Sequence, residues 1–173
     1  VYKLVDLNKR YNIIKRNDNV LDIGCSPGSW LQFASKTAGK NSIVLGVDII
    51  PLKNMPGVMF ILADITENST LELIKKTSNE FDVILSDMAP KTTGIRELDI
   101  SRSIGLNEKV LEIAQELLKQ NGNLLCKIFQ GTNFEEFLGK IKKKFEFVKC
   151  HKPEASRKES REIYIVAKSF KKL

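Results

Sequence analysis

The residues from Val20 to Trp30, Val-Leu-Asp-Ile-Gly-Cys-Ser-Pro-Gly-Ser-Trp, put a carboxylate inside an apolar run and two glycines in the turn behind it. Leu21 and Ile23 flank Asp22 as strand formers, and Gly24 and Gly28 let backbone approach a ligand where a Cβ would collide. Pro27 restrains φ in the turn, and Trp30 opens a helical pattern running to about Ala38. This pattern is the first strand-to-helix turn of a nucleotide-cofactor fold. Two further carboxylates recur at strand ends, Asp48 after Ser42 and Asp64 after Val58. Asp48, about 20 residues past the loop, stands where an acidic residue accepts the hydroxyls of a ribose. Either Asp is equally read as a plain polar strand end. Lys127 interrupts the apolar run Asn123 to Phe129; on its own it reads as an edge lysine snorkelling to water.

The dinucleotide fingerprint does not fit this loop. With Gly24 placed first, Ser26 and Ser29 occupy the positions of the second and third glycines, so a pyrophosphate has no good cradle. An Asp inside the first strand followed by one tight glycine turn instead resembles the S-adenosylmethionine loop of class I methyltransferases. That ligand carries a carboxylate, an amine and a sulfonium but no phosphate.

The elements that must position these residues follow from periodicity. Leu4, Leu7, Tyr11 and Ile14 recur at helical spacing across Tyr2 to Ile14, ahead of the first strand, Val20 to Gly24. Ser42 to Asp48 and Val58 to Asp64 are the second and third strands, Asn68 to Asn79 a helix, and Phe81 to Ser86 the fourth strand, closing on Asp87-Met-Ala-Pro90. Ile100 to Gln120 is a long amphipathic helix stopped by Gly122 or Asn123, and Leu124 to Phe129 is strand five. Thr132 caps a helix through Lys144, and Phe145 to Cys150 and Glu162 to Ala167 are strands six and seven. The loop between those last two is too short for a crossover helix, so they pair antiparallel. The expected architecture is one doubly wound α/β domain over residues 1–173, with a mostly parallel seven-stranded sheet and an antiparallel last strand.

Composition narrows the class. At 42% hydrophobic residues a 173-residue chain builds one full core, and no apolar run is long enough to span a bilayer, so no membrane partner is expected. Cys25, Cys126 and Cys150 are odd in number and lack zinc spacing, and His151 is the single histidine, so a reducing compartment and no metal are expected. Cys126, inside an apolar run, reads as a buried strand cysteine rather than a nucleophile. The chain opens on Val1 rather than Met, so a processed form is expected, with any targeting segment outside the sequence and either a cytoplasmic or an organellar location, in a mitochondrion or plastid. The net charge of +7 is one-sided: Gly139 to Leu173 holds 12 Lys/Arg against 4 Asp/Glu, leaving −1 for the rest. A basic stripe is the footprint expected of a polyanion-binding face, against the plainer reading of a solubilising tail.

Four motifs then carry a resemblance. Gly24-Cys-Ser-Pro-Gly-Ser-Trp30, Ser86-Asp-Met-Ala-Pro90, Lys127-Ile-Phe-Gln-Gly131 and the segment from Lys152-Pro to Ile-Tyr164, in this order over almost the entire chain, resemble the FtsJ/RrmJ family of RNA 2′-O-ribose methyltransferases. The Ser-Asp-Met-Ala-Pro form is closer to the branch acting on a uridine of large-subunit ribosomal RNA than to the transfer-RNA branch. The resemblance implies a Lys-Asp-Lys-Glu tetrad at Lys3, Asp87, Lys127 and Glu162. It also implies an S-adenosyl-L-methionine site made by Asp22 with the loop residues Gly24, Cys25, Ser26, Pro27, Gly28, Ser29 and Trp30. Asp48 with Ile49, Asp64 with Ile65, and Asp87 complete that site, Asp64 toward the adenine edge. RNA is expected on Lys152, Arg157, Lys158 and Arg161, and the chain is expected to act as a monomer.

Those assignments agree with the chemistry. A ribose 2′-hydroxyl is a poor nucleophile, so attack on a sulfonium methyl is helped by a base and by a held approach geometry. A neutral Lys127 supplies the base, Asp87 holds its amine, and Lys3 and Glu162 place the ribose. Two departures from the family pattern are present. Ser29 stands where a second glycine is usual, which is expected to tighten the loop, and no basic stretch precedes Lys3, which is expected to weaken RNA binding. A base-amino methyltransferase would want an Asp/Asn-Pro-Pro-aromatic turn in place of Asp87-Met-Ala-Pro90. Methylation of transfer RNA or another RNA stays open, as does an inactive RNA-binding domain of the same fold.

Overall fold

Among the described residues, 1–152 and 160–173 of the computed structural model, seven strands and five helices alternate along the chain. The first half comprises α1 (Tyr2–Tyr11), β1 (Val20–Ile23), α2 (Ser29–Ala38), β2 (Val44–Asp48), β3 (Met59–Leu62), α3 (Ser69–Lys75) and β4 (Phe81–Ser86). Then follow α4 (Arg96–Leu117), β5 (Leu118–Phe129), α5 (Phe134–Lys144), β6 (Phe145–His151) and β7 (Glu162–Phe170). The strands form one sheet in the order β3-β2-β1-β4-β5-β7-β6. β1 to β5 pair in parallel, and β7 enters antiparallel between β5 and β6. The chain steps from β1 outward to β2 and β3, then returns to β4 on β1's other side. This reversal leaves a crevice at the carboxyl ends of β1 and β4, where open α/β sheets bind ligands.

Strand alternation divides the core into two. Leu21 and Ile23 of β1 and Leu124, Cys126 and Ile128 of β5 pack with Ile74 of α3, Leu111 of α4 and Phe137 of α5. Val20, Val83, Leu125 and Val166 turn to the opposite face, where Leu4 and Leu7 of α1 and Leu31 and Ala34 of α2 cover them. α1 and α2 therefore lie on one side of the sheet and α3, α4 and α5 on the other.

Several boundaries differ from the sequence-based expectation. α1 ends at Tyr11 because Asn12 adopts a left-handed φ of 50°, and Ile13 and Ile14 stay buried outside the helix. α4 begins at Arg96 rather than Ile100 and runs straight into β5 at Leu118, so Gly122 lies within a strand and stops no helix. The turn expected there is absorbed as a register shift against β4 and a positive φ of 66° at Asn121. Thr132 does not cap α5: its hydroxyl donates to Glu97 Oε2 at 2.9 Å, and Asn133, at φ 68°, holds the cap position without a side-chain bond. Neither β5 nor β7 is an edge strand, so Lys127 is not the snorkelling edge lysine it resembles in isolation. No helix among the described residues is long and apolar enough to cross a membrane.

Candidate active site

Alternation along the strands selects which side chains meet. Asp22 shares the face of Val20, Lys127 that of Leu125, and Tyr164 and Glu162 that of Val166. Asp87 follows β4 in the parity of Val83 and Leu85. Because β7 runs antiparallel, its first residues lie at the carboxyl edge of β5, with Lys127 opposite Tyr164 and Phe129 opposite Glu162. Residues far apart in the chain thus converge beside the crevice, and α1 brings Lys3 over them.

Lys127 Nζ lies 3.3 Å from Asp87 Oδ1 and 3.9 Å from Glu162 Oε1. Glu162 Oε2 lies 3.7 Å from Lys3 Nζ, which also stands 5.8 Å from the centre of the Tyr164 ring. All four expected tetrad residues are brought together, and only 11% of the Lys127 side chain is exposed. The Tyr164 hydroxyl, missed from the sequence, donates to Asp87 Oδ1 at 2.8 Å. Burial, reinforced by Asp87 and Glu162, pushes that hydroxyl above its ordinary range, so it stays a donor. The Tyr164 ring lies 6.0 Å from that of Trp30, tying the tetrad to the glycine loop. The signal for Tyr164 was available: it shares Glu162's face of β7.

The strand end carrying Lys127 is held by α4. β4 pairs with β5 as far as Ser86 opposite Cys126 and then turns off through Asp87. Asn107 Nδ2 donates to the Lys127 carbonyl at 2.9 Å, and Ser103 Oγ accepts from the Phe129 N–H at 3.0 Å. Those two side chains, four residues apart on α4 and both buried, replace the strand partner that β4 withdraws. Sequence periodicity gave no sign of them, since polar residues within a helix read as its solvent face.

The expected cofactor residues surround two connected spaces. A cleft of about 460 Å³ opens over the carboxyl ends of β1 to β4, bordered by Gly24, Ser26, Asp48, Asp64 and Asp87 with Ile49 and Ile65 as apolar wall. Beneath the loop a recess of about 60 Å³ is lined by Asp22, Cys25, Pro27, Ser29 and Trp30. Gly24 has φ 74°, and a Cβ there would overlap the Met88 side chain, so the close approach of loop and β4 turn requires glycine. Gly28, at φ 108°, caps α2. Asp48 Oδ2 accepts from Ser26 N at 2.8 Å and Oδ1 from Ile50 N at 2.9 Å, pinning the loop to β2. Asp64 Oδ1 accepts from Thr66 N at 2.9 Å and Thr66 Oγ1 at 2.7 Å, bonds that hold its carboxyl below the usual range.

Asp22 is fully buried, and neither carboxylate oxygen has a hydrogen-bond partner among the described residues. Burial pushes its carboxyl well above the usual range, and Asp87 and Asp48 push it further. An unpaired buried carboxylate is costly, and a ligand cation relieves it. S-adenosylmethionine, with a positive amine and sulfonium, an adenine for the apolar wall and ribose hydroxyls for a strand-end carboxylate, fits these residues. Cys25 and Cys126 are inert packing, their thiols pushed up to about 12 chiefly by burial. No group of three or more metal-ligating side chains occurs among the described residues.

Of the residues expected to meet RNA, Arg157 and Lys158 lie outside the described residues. Lys152 donates to the Ser160 carbonyl at 2.8 Å, and Arg161 lines a further cleft of about 250 Å³ next to Glu162.

A sheet of this order with an antiparallel β7, a glycine turn after β1 and carboxylates at successive strand ends defines a class I S-adenosylmethionine-dependent methyltransferase. Within that class the chain belongs to the FtsJ-like methyltransferase family, whose model it matches over residues 1–170. Ribosomal RNA large subunit methyltransferase E of Desulfotalea psychrophila is 42% identical over 177 residues, covering 99% of this chain and 88% of that protein. The protein of the same name from Archaeoglobus fulgidus is 42% identical over 172 residues, again covering 99% and 88%. A crystal structure described as a ribosomal RNA methyltransferase from Plasmodium falciparum superposes with a TM-score of 0.87 at 30% identity, covering 98% of this chain and 95% of that one.

Proposed function

We propose that the chain transfers the methyl group of S-adenosylmethionine to a ribose 2′-hydroxyl of RNA, the acceptor being a uridine of large-subunit ribosomal RNA. The observation that carries this reading is Lys127, held between Asp87 and Glu162 where the cofactor cleft ends. The names of the relatives from Desulfotalea psychrophila and Archaeoglobus fulgidus support the choice of RNA.

Bound S-adenosylmethionine supplies an electrophilic methyl on a sulfonium. Asp22 and the turn from Gly24 to Trp30 hold its amino-acid end, Asp48 its ribose, and Asp64 with Ile49 and Ile65 its adenine. Lys127 accepts the proton of the attacking hydroxyl, and Asp87 fixes its Nζ. Tyr164 in turn fixes Asp87. Lys3 and Glu162, 3.7 Å apart, orient the incoming ribose. Lys152 and Arg161, with Arg157 and Lys158, meet backbone phosphates. The activity is assigned to one domain acting as a monomer, in a reducing cytoplasm that suits three free thiols.

Labelled methyl transfer to large-subunit RNA taken from cells lacking the modification, followed by mapping, tests the reading. One 2′-O-methylated uridine is expected. Label on a base, or no transfer by a protein that binds the cofactor, would overturn it.

A further inference from the structure

Two clefts lie on either side of Lys127, each lined by one of the carboxylates that face its amine. Asp87 lines the 460 Å³ cleft and Glu162 the 250 Å³ cleft, and Lys127 Nζ lies between those two carboxylates, 3.3 Å from one and 3.9 Å from the other. Displacement at a methyl carbon proceeds in line, with donor and acceptor on opposite sides of the moving group. A donor held in the first cleft therefore calls for an acceptor in the second. The β5/β7 register sets what that second cleft offers. Phe129 is directly opposite Glu162 and two residues beyond Lys127 on the same face, so a half-buried aromatic residue is paired with one tetrad member and shares a strand face with another. Thr92 and Ser160 add hydroxyls, and Arg161 adds a cation. Both carboxylates of the cleft are already engaged: Glu162 faces Lys3 and Lys127, and Asp99 Oδ1 accepts from Thr93 N and Thr93 Oγ1, each at 2.8 Å.

An aromatic ring, hydroxyls and a cation lining one cleft are the set of groups that holds an unstacked base of single-stranded RNA. The ring takes the base's face, the hydroxyls its polar edge, and the cation the adjoining phosphate. We infer that this cleft seats the base of the acceptor nucleotide, stacked on Phe129 with its ribose turned toward Lys127. The inference rests on RNA methylation as the activity, and it adds a base-binding subsite to the catalytic groups and the phosphate contacts.

The test is a cycle of two changes, Phe129→Leu in the protein and an abasic ribose at the mapped position in the RNA. KM and kcat are measured for all four combinations, with binding of S-adenosylhomocysteine by calorimetry alongside. Phe129→Leu is expected to raise KM for the intact RNA roughly 5- to 150-fold, the range that loss of one base–aromatic stack gives, while product binding stays at the wild-type value. Removing the base should raise the wild-type KM comparably and add little to the variant's. Unchanged KM for Phe129→Leu, or an equal penalty for the abasic RNA in both proteins, would overturn the subsite. Should Phe129→Leu lose product binding through misfolding, Thr92→Ala carries the same cycle from the opposite wall. Absence of methyl transfer to RNA by the wild-type protein would instead overturn the activity on which the subsite depends.

Discussion

Tyr164 and Asp87 are joined by a 2.8 Å hydrogen bond, and the accepting oxygen, Asp87 Oδ1, is also the one that faces Lys127 at 3.3 Å. A single carboxylate oxygen therefore serves both the proposed base and the tyrosine behind it. Tyr164→Phe keeps the ring contact with Trp30 and removes the donor. Hydrogen bonds to charged groups are worth about 1.5–3 kcal/mol. Turnover in a single-turnover assay is expected to fall roughly tenfold or more, with cofactor KM unchanged. An unaltered rate would make the bond a packing detail.

Lys127 is expected to act as the general base. Lys127→Ala should lose about 10² to 10⁴ in turnover, the usual worth of positioned proton transfer, and leave S-adenosylhomocysteine binding nearly intact. Lys127→Arg separates two roles, since arginine keeps the charge and does not deprotonate. It should be almost as impaired as the alanine variant on saturating RNA; retained activity would reassign Lys127 to electrostatic positioning.

Asp22 gives a pH-dependent prediction. Its folded-state carboxyl is held well above the ordinary range by burial, so the folded chain binds more protons than the unfolded chain once pH exceeds about 4. The stability it contributes is present below that pH and is lost as pH rises through the folded-state value. Asp22→Asn should accordingly raise the Tm of the ligand-free protein at pH 8, with the gain shrinking toward pH 4, while weakening cofactor binding. Thermal scans across that range and calorimetry check both; a gain that grows toward acid would contradict the account.

Asn107 and Ser103 should matter for the rate as well as the fold. Asn107→Leu leaves the Lys127 carbonyl without its donor, a loss of about 1–3 kcal/mol for a buried group. At roughly 2–4 °C per kcal/mol, Tm should drop by several degrees. Turnover should fall while product affinity holds, because the strand end carrying Lys127 loosens and the cofactor cleft does not. Equal loss of both would make the pair purely structural.

Lys152, bonded to the Ser160 carbonyl, and Arg161 stand at the 250 Å³ cleft. Replacing both with Ala should weaken RNA binding and flatten the slope of log K against log salt by about 0.7 for each single-strand phosphate that is no longer neutralised. An unchanged slope would make them a solvated rim.

Much of this was legible in the chain itself. The glycine loop, the strand-end carboxylates and the apolar period are local, so Asp22, Gly24, Asp48 and Asp64 fell at the crevice where their spacing put them. The four tetrad positions came from motif resemblance and met in space. Periodicity carries no information about which strand lies beside which, because partner choice depends on burial between segments far apart in sequence. It therefore left Lys127 looking like an edge residue, when its strand lies between β4 and β7. The same limit hid Asn107 and Ser103, whose polar groups are buried only because β4 turns away at Asp87 and leaves β5 backbone to be satisfied. It also misassigned Thr132, which found a partner on α4 and left Asn133 to start α5. Local chemistry made the glycine loop; the antiparallel insertion of one strand brought the tetrad side chains together, by setting Phe129 against Glu162 and Lys127 against Tyr164.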